Sequence, residues 1–107
     1  KITCSAAHTS ATVEQLRLSI GAGLSHLTHF GNQMTPLHHR EIGCVGAGLV
    51  DERLMLEMIC DKIHLSADML ELVFRLVSPD RLMMITDSMA ASWMREGRCF
   101  SVVWLWR

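Results

Sequence analysis

The sequence predicts an α/β fold built from parallel βα units, and three observations support this prediction. Candidate strands and helices alternate along the 107 residues in the order strand, helix, strand, connection, strand, helix, strand. The strand segments are close to continuously apolar, as in a parallel sheet covered on both faces. Polar side chains follow the ends of several of these strands. Since no repeat or linker interrupts the alternation, a single core is expected.

The first half of the chain contains two predicted strands and one helix. Small residues over 2–7 predict the first strand. Thr12 and Gln15 form a capping box that begins a helix, and two glycines end it. Residues 24–29 predict the second strand, and 30–43 a polar connection.

The second half repeats the pattern after a run of small residues. Residues 43–48 predict a loop or a short, weak helix. Residues 54–60 predict a buried strand, and Ser66 caps a helix whose apolar side belongs to the core. A Ser-Pro pair ends this helix, and residues 81–86 predict an apolar strand that leads to Asp87.

Charge and hydropathy exclude two classes of partner. The 10 Lys and Arg residues are balanced by 11 Asp and Glu, so a strongly basic nucleic-acid-binding surface is excluded. No apolar run approaches the roughly 20 residues that span a bilayer. The first residues are not expected to begin a signal peptide, because a polar stretch follows them. Neither nucleic acid nor membrane is expected as a partner.

The cysteines indicate the compartment. They lie at positions 4, 44, 60 and 99 and form no Cys-x-x-Cys pair, which disfavours both a zinc finger and a disulfide framework. Scattered cysteines in an apolar chain are typical of small buried residues in a reducing environment. A cytoplasmic location is therefore expected.

Polar groups that can carry chemistry follow the predicted strands. These groups are His8, His29, the pair Asp61 and His64, and Asp87. Because parallel strands gather their carboxyl ends on one face, two imidazoles and a carboxylate from three strands can form a divalent-metal site. Ordinary alternatives stay open: a strand-end histidine is commonly a surface residue, and Asp87 can cap a helix.

The polar connection carries a weaker signal. Arg40 beside Glu41 is compatible with an ordinary solvated ion pair. His38 and His39 are adjacent, which does not favour chelation, because neighbouring side chains in an extended chain point apart.

Four motifs carry a resemblance to a known family. Residues 5–12 read SAAHTSAT and resemble the GHTxAT segment of N-acetylglucosamine-6-phosphate deacetylases, which belong to the metal-dependent amidohydrolase superfamily. Residues 28–41 read THFGNQMTPLHHRE and are similar to the family's THLFNAMxPLHHRE. DKIH over 61–64 resembles DGIH, and TDSM over 86–89 resembles TDAM. On these motifs the segment 1–92 is identified as a member of the family. It forms the first of two regions of the chain, and the tail over 93–107 forms the second.

The resemblance implies a fold and an activity. The fold would be about half of a (βα)8 TIM-type barrel, strands five to eight. The activity would be hydrolysis of the acetamide of N-acetylglucosamine 6-phosphate to glucosamine 6-phosphate and acetate. His8 and His29 would be ligands of a divalent metal, zinc first, with iron or another divalent metal as alternatives. Asp87 would be the catalytic carboxylate. The amino-sugar phosphate substrate would contact Asn32, Gln33, Arg40 and His64.

The resemblance also implies an incomplete site and a homo-oligomer. The family's glutamate ligand lies upstream of the four motifs, so this chain alone is expected to be inactive or nearly so. Arg40 and His64 would act across a dimer interface. Gln33 replaces an alanine and Lys62 a glycine of the family's motifs. The alternative function is a non-catalytic half-barrel that self-associates or binds a complementary half.

The tail over 93–107 does not resemble the family. It contains all three tryptophans of the chain. An alternative reading frame of 101–106 can encode GGLAV, close to the family's sequence after this point. The tail is therefore interpreted as either divergent or frameshifted.

Overall fold

A computed structural model describes residues 2–89 and 92. One sheet contains four parallel strands in sequence order: β1 (Cys4–Ala6), β2 (Leu24–Leu27), β3 (Met55–Met58) and β4 (Leu82–Met84). The helices are α1 (Val13–Gly21), α2 (Gly43–Val50) and α3 (Ala67–Leu76), and a 3₁₀ turn (Pro79–Arg81) enters β4. The predicted parallel α/β class is confirmed, and the arrangement is consistent with part of a TIM-barrel-like fold.

Both predicted helix caps are present. The Thr12 hydroxyl accepts a hydrogen bond from the Gln15 backbone N–H, and the Gln15 side chain accepts one from the Thr12 N–H. The hydroxyl of Ser66 accepts from the Met69 N–H at the start of α3. These bonds satisfy N–H groups that have no partner within the first turn of a helix, which explains why the helices begin where they do.

Helix α2 resolves the ambiguity of the small-residue segment, because residues 43–50 form a helix. Glycine is a poor helix former, but every residue from 43 to 49 is buried, so tertiary packing outweighs propensity. Gly48 lets the helix approach the sheet closely: a Cβ there would lie 2.5 Å from the Phe30 ring. Gly43 adopts a φ of +60° with backbone oxygens of Thr35 and Pro36 against it, which only glycine tolerates.

The core lies between the sheet and the three helices. Its largest fully buried side chains come from the three helices, from β2 and β3 and from the loops beside them: Leu16, Leu27, Phe30, Cys44, Leu54, Leu56, Met58 and Val73. One buried cation stabilises the opposite end of the sheet from the candidate site. Arg81 is 7% exposed, and its guanidinium donates to the carbonyls of Gly48 (2.7 Å) and Leu54 (2.8 Å). It thereby joins the last turn of α2 to the start of β3.

Some of the predictions lie beyond these residues. The proposed tail, 93–107, is outside the described residues, as is Cys99, while Cys4, Cys44 and Cys60 are free thiols. Within 2–89 and 92, none of the helices has the length and apolar character needed to cross a membrane.

Candidate functional site

A residue with a left-handed backbone conformation follows the carboxyl end of each strand. Residues with a positive φ follow β1 (His8, 46°), β2 (His29, 40°), β3 (Lys62, 65°) and β4 (Asp87, 49°). Residues other than glycine adopt this left-handed conformation infrequently, and it costs on the order of 1–3 kcal/mol at each position. Three of the four residues are ones that the sequence placed in the site. The strain is therefore concentrated at one edge of the sheet.

Strand register brings two of these residues together. β1 and β2 run parallel with Ala6 opposite Leu27, so His8 and His29, each two residues further on, also lie opposite each other. The Thr28 N–H donates to the Ala6 carbonyl at 2.9 Å and extends the pairing toward them. Their rings stack with centroids 4.5 Å apart and an interplanar angle of 27°. We call these two side chains the imidazole pair.

One nitrogen of the imidazole pair is buried. His29 is only 6% exposed, and its Nδ1 has no hydrogen-bond partner within the described part of the chain. Leaving such an atom unsatisfied costs about 1–3 kcal/mol, so it indicates a position that another group completes. An imidazole nitrogen is the commonest protein ligand for divalent metals, so the pair fits such a metal.

The described residues do not bring together a complete set of metal ligands. Across 2–89 and 92, no three His, Cys, Asp or Glu side chains lie close enough together to hold an ion. Asp87 is exposed and is not gathered into a ligand cluster with the imidazole pair. The pair therefore supplies two nitrogen donors where a tetrahedral site needs at least three protein ligands.

Asn32 supports the turn that carries His29. Its backbone N–H and its side-chain amide both donate to the His29 carbonyl, at 3.0 and 3.2 Å. Gln33 follows with a φ of 52° and an exposed side chain. A single parallel bridge between Thr9 and Met34 then ties this loop to the end of β1. Asn32 and Gln33 thus lie on the loop that positions the imidazole pair.

Arg40 lies exposed on a tight turn. His38 and Glu41 exchange two backbone hydrogen bonds of 3.0 and 3.1 Å, and the Arg40 N–H donates to the His38 Nδ1 at 3.2 Å. The Glu41 carboxylate accepts from the N–H groups of Val13 and Gly43, both at 3.2 Å. Within the described part of the chain, Arg40 and Glu41 do not form an ion pair. The Glu41 carboxylate instead accepts hydrogen bonds at the starts of α1 and α2.

His64 lies in a turn held by Asp61. One carboxylate oxygen, Oδ1, accepts from the N–H groups of Ile63 (2.8 Å) and His64 (2.9 Å). The other, Oδ2, lies 2.6 Å from the His64 Nδ1. The backbone N–H groups of His64 and Ile63, followed by the His64 ring, lower the pKa of Asp61 from 3.8 to about 2. Asp61 belongs to the polar pair predicted after the third strand, but no catalytic or binding role was predicted for it; its position three residues before a histidine was the signal for this turn.

Arg40 and His64 are not brought together within one chain. Arg40 borders a groove beside Val13 and Arg17, whereas His64 borders a separate depression beside Met34 and Met69. The described residues therefore place the imidazole pair in one position, and Arg40 and His64, the two candidates for substrate contact, at two others.

Sequence comparison finds relatives that match most of this chain, although no family model matches it. The chain is 38% identical over 96 residues to an N-acetylglucosamine-6-phosphate deacetylase of Lysinibacillus sphaericus, covering 90% of this chain and 25% of that protein. It is 44% identical over 91 residues to an N-acetylgalactosamine-6-phosphate deacetylase of Escherichia coli O157:H7, covering 85% and 24%. The chain thus spans about a quarter of the length of the curated relatives it matches.

Solved structures show the same correspondence in three dimensions. The N-acetylglucosamine-6-phosphate deacetylase of Thermotoga maritima superposes with a TM-score of 0.83 at 42% identity, covering 90% of this chain and 26% of that one. A mutant of the Mycobacterium smegmatis enzyme in complex with N-acetyl-D-glucosamine-6-phosphate gives 0.83 at 38% identity, covering 90% and 25%. Similarity in sequence and similarity in fold therefore each extend over most of the chain.

Proposed function

Since this chain belongs to the N-acetylglucosamine-6-phosphate deacetylase family, we propose that it carries part of the active site of such an enzyme. The reaction is the metal-dependent hydrolysis of the acetamide of N-acetylglucosamine 6-phosphate, which yields glucosamine 6-phosphate and acetate. The observation that carries this proposal is the imidazole pair, whose buried Nδ1 of His29 lacks a partner among the described residues.

His8 and His29 would hold the metal, with the remaining ligands coming from beyond the described residues. Zinc is the ion we propose, because a site with two imidazoles suits it, and iron or another divalent ion is the alternative. When bound, the ion supplies a Lewis acid for the acetamide carbonyl and makes a water molecule more acidic.

Asp87 would move the proton. Its carboxylate accepts a proton from the attacking water as the water oxygen bonds to the acetamide carbon, and returns that proton to the nitrogen as the C–N bond breaks. The exposed position of Asp87 after β4, in a strained left-handed turn, favours a functional role over a packing role.

Four residues would bind the sugar phosphate: Asn32, Gln33, Arg40 and His64. The exposed guanidinium of Arg40 suits the phosphate, because its fork of N–H donors matches two phosphate oxygens. The resemblance implies that Arg40 and His64 act across a dimer interface, so we propose a homo-oligomer; the two residues border separate depressions of one chain, which agrees with this proposal. The identity to an N-acetylgalactosamine-6-phosphate deacetylase makes the galacto epimer the second candidate substrate.

Strands β1 to β4 would be strands five to eight of a (βα)8 barrel in a cytoplasmic enzyme. The coverage of about a quarter of each solved neighbour, at a TM-score of 0.83, supports a barrel segment of this size.

The test is a hybrid enzyme in which this chain replaces the segment that it matches in the Lysinibacillus sphaericus protein. Acetate release is measured with N-acetylglucosamine 6-phosphate and with its galacto epimer. We expect the hybrid enzyme to turn over, to lose activity on chelation and to regain it with zinc, whereas the chain alone shows no turnover. An Asp87→Asn hybrid is expected to lose about 10³-fold or more in kcat. Turnover by the chain alone, or full activity of the Asp87→Asn hybrid, would contradict the proposal.

A further inference from the structure

Asp61 and His64 are joined by hydrogen bonds that engage both carboxylate oxygens of Asp61. Oδ1 accepts two backbone N–H groups, and Oδ2 faces the ring Nδ1 at 2.6 Å. Lys62, between them, adopts a φ of +65°, so the backbone is strained to allow this turn. The unit lies after β3 on the edge that carries the imidazole pair.

The charge of Asp61 fixes the proton on the ring. With a pKa of about 2, this carboxylate is ionised at neutral pH and can only accept hydrogen bonds. The Nδ1 of His64 must therefore carry a hydrogen, in the neutral and in the protonated ring alike. The Nε2 is then the ring nitrogen left for a ligand, and the side chain, 50% exposed, can present it.

We propose that Asp61 is a positioning residue that holds the His64 ring with its proton on Nδ1, so that Nε2 is the atom that meets the sugar phosphate. The geometric part depends only on the contacts above. The part that names the ligand rests on the proposed function. Asp61 itself has no oxygen left without a partner, so it acts through His64 and not on the substrate directly.

An Asp61→Asn substitution is expected to switch the tautomer of the His64 ring while keeping the turn. The Asn oxygen can still accept the N–H groups of Ile63 and His64, but the amide then presents a donor to Nδ1. Nδ1 must become the acceptor, and the proton of the neutral ring moves to Nε2. The matched control is Asp51→Asn, because Asp51 accepts from the Arg53 backbone N–H and side chain in the same way at the other end of β3.

The first measurement is a long-range ¹H–¹⁵N correlation spectrum of the imidazole rings in the full 107-residue chain, above the pH at which the rings are charged. We expect His64 with its proton on Nδ1 in the unsubstituted chain and in Asp51→Asn, and on Nε2 in Asp61→Asn. His38 is an internal reference, because its Nδ1 accepts the Arg40 N–H and its proton should stay on Nε2 throughout. A His64 proton on Nε2 in the unsubstituted chain would overturn the inference.

The second measurement is a double-mutant cycle in the hybrid enzyme with N-acetylglucosamine 6-phosphate. Asp61→Asn is expected to raise KM about tenfold with kcat changed less than about threefold, as for other residues that orient a binding group. In a His64→Ala background the same change should add less than about twofold, because Asp61 has lost the group through which it acts. A full tenfold effect in that background, or an unchanged KM in Asp61→Asn, would overturn the assignment to the substrate. If the hybrid enzyme lacks turnover altogether, the proposed function fails, while the ring spectrum still decides the positioning.

Discussion

His29 and His64 follow neighbouring strands of one sheet, but they differ in the burial of the ring and in the partner of Nδ1. The His29 ring is buried, and its Nδ1 has no partner within the described residues. The His64 ring is half exposed, and its Nδ1 meets an ionised carboxylate. A buried nitrogen without a partner costs free energy until a ligand arrives, whereas a paired nitrogen is already stabilised. The contrast separates a position suited to binding a metal from one suited to orienting a substrate.

The neighbours of the two rings agree with this division. His29 stacks on a second imidazole, so two nitrogen donors share one place. The nearest polar partner of His64 is a carboxylate that closes a turn, which fixes a ring orientation without adding a second ring donor. Variants that act on one ring and not on the other can therefore test the contrast directly.

The largest expected effect is on catalysis by the hybrid enzyme. His29→Gln should lower kcat/KM by about 10³-fold or more, because His29 is a proposed metal ligand and loss of such a ligand removes several kcal/mol of transition-state stabilisation. His64→Gln should lower it by about tenfold, mostly through KM, because one hydrogen bond to the substrate is lost. Acetate-release kinetics at saturating zinc measure both. Equal losses in the two variants would erase the distinction between the rings.

The next effect is on stability, at the residue that supports the His29 loop. Gly48→Ala places a methyl group 2.5 Å from Phe30 and 3.0 Å from Leu27, so the chain should lose about 1–3 kcal/mol of unfolding free energy. Gly21→Ala is the matched control, because its methyl group meets nothing within 4 Å and a helical Gly-to-Ala change gains about 0.5–1 kcal/mol. Urea unfolding gives both values. The His64 ring spectrum should stay unchanged in Gly48→Ala, which confines the damage to the His29 side.

The elements were predictable where local chemistry decides them. Thr12 with Gln15 and Ser66 begin helices through their own side-chain bonds, and these residues are visible in the sequence. Helix α2 was left open between loop and helix because glycine, alanine and cysteine give little local preference. Its helical state depends on burial against Phe30 and Leu27, which are separated from the helix by the whole polar connection.

The position of the predicted site residues after strand ends could be derived from the sequence, whereas their arrangement in space could not. Strand ends placed His8 and His29 on one edge, but only the register between β1 and β2 sets them opposite each other. Register follows from packing of whole strands, so a motif cannot supply it. Likewise, an Arg40–Glu41 pair was a fair alternative from adjacency. The N–H groups that bind Glu41 belong to helices that are assembled only in the fold.

A smaller effect concerns zinc binding by the chain alone. The imidazole pair offers two donors, so we expect weak binding, and zinc at ten times its dissociation constant should stabilise the chain by about 1.4 kcal/mol. His8→Gln and His29→Gln should each abolish this gain, and His64→Gln should keep it. Thermal unfolding with and without zinc measures the gain, with magnesium as the control ion. A gain in stability that is lost in His64→Gln would show that zinc binds at His64, which contradicts the prediction.

The smallest expected effect is the acid dependence of stability that the Asp61 turn creates. The pKa of Asp61 falls from 3.8 to about 2 on folding, so its ionised form stabilises the folded state. That contribution is fully present above about pH 4 and is lost as the pH falls toward 2. Asp61→Asn should therefore make unfolding free energy less steep over this interval. His64→Gln should remove only a minor part of the slope, because the backbone N–H groups of His64 and Ile63 lower this pKa more than the ring does. Urea titrations at several pH values between about 5 and 2.5 show which of the two substitutions changes the pH dependence of the unfolding free energy more. A larger change in His64→Gln than in Asp61→Asn would show that the ring, and not the turn, holds the carboxylate.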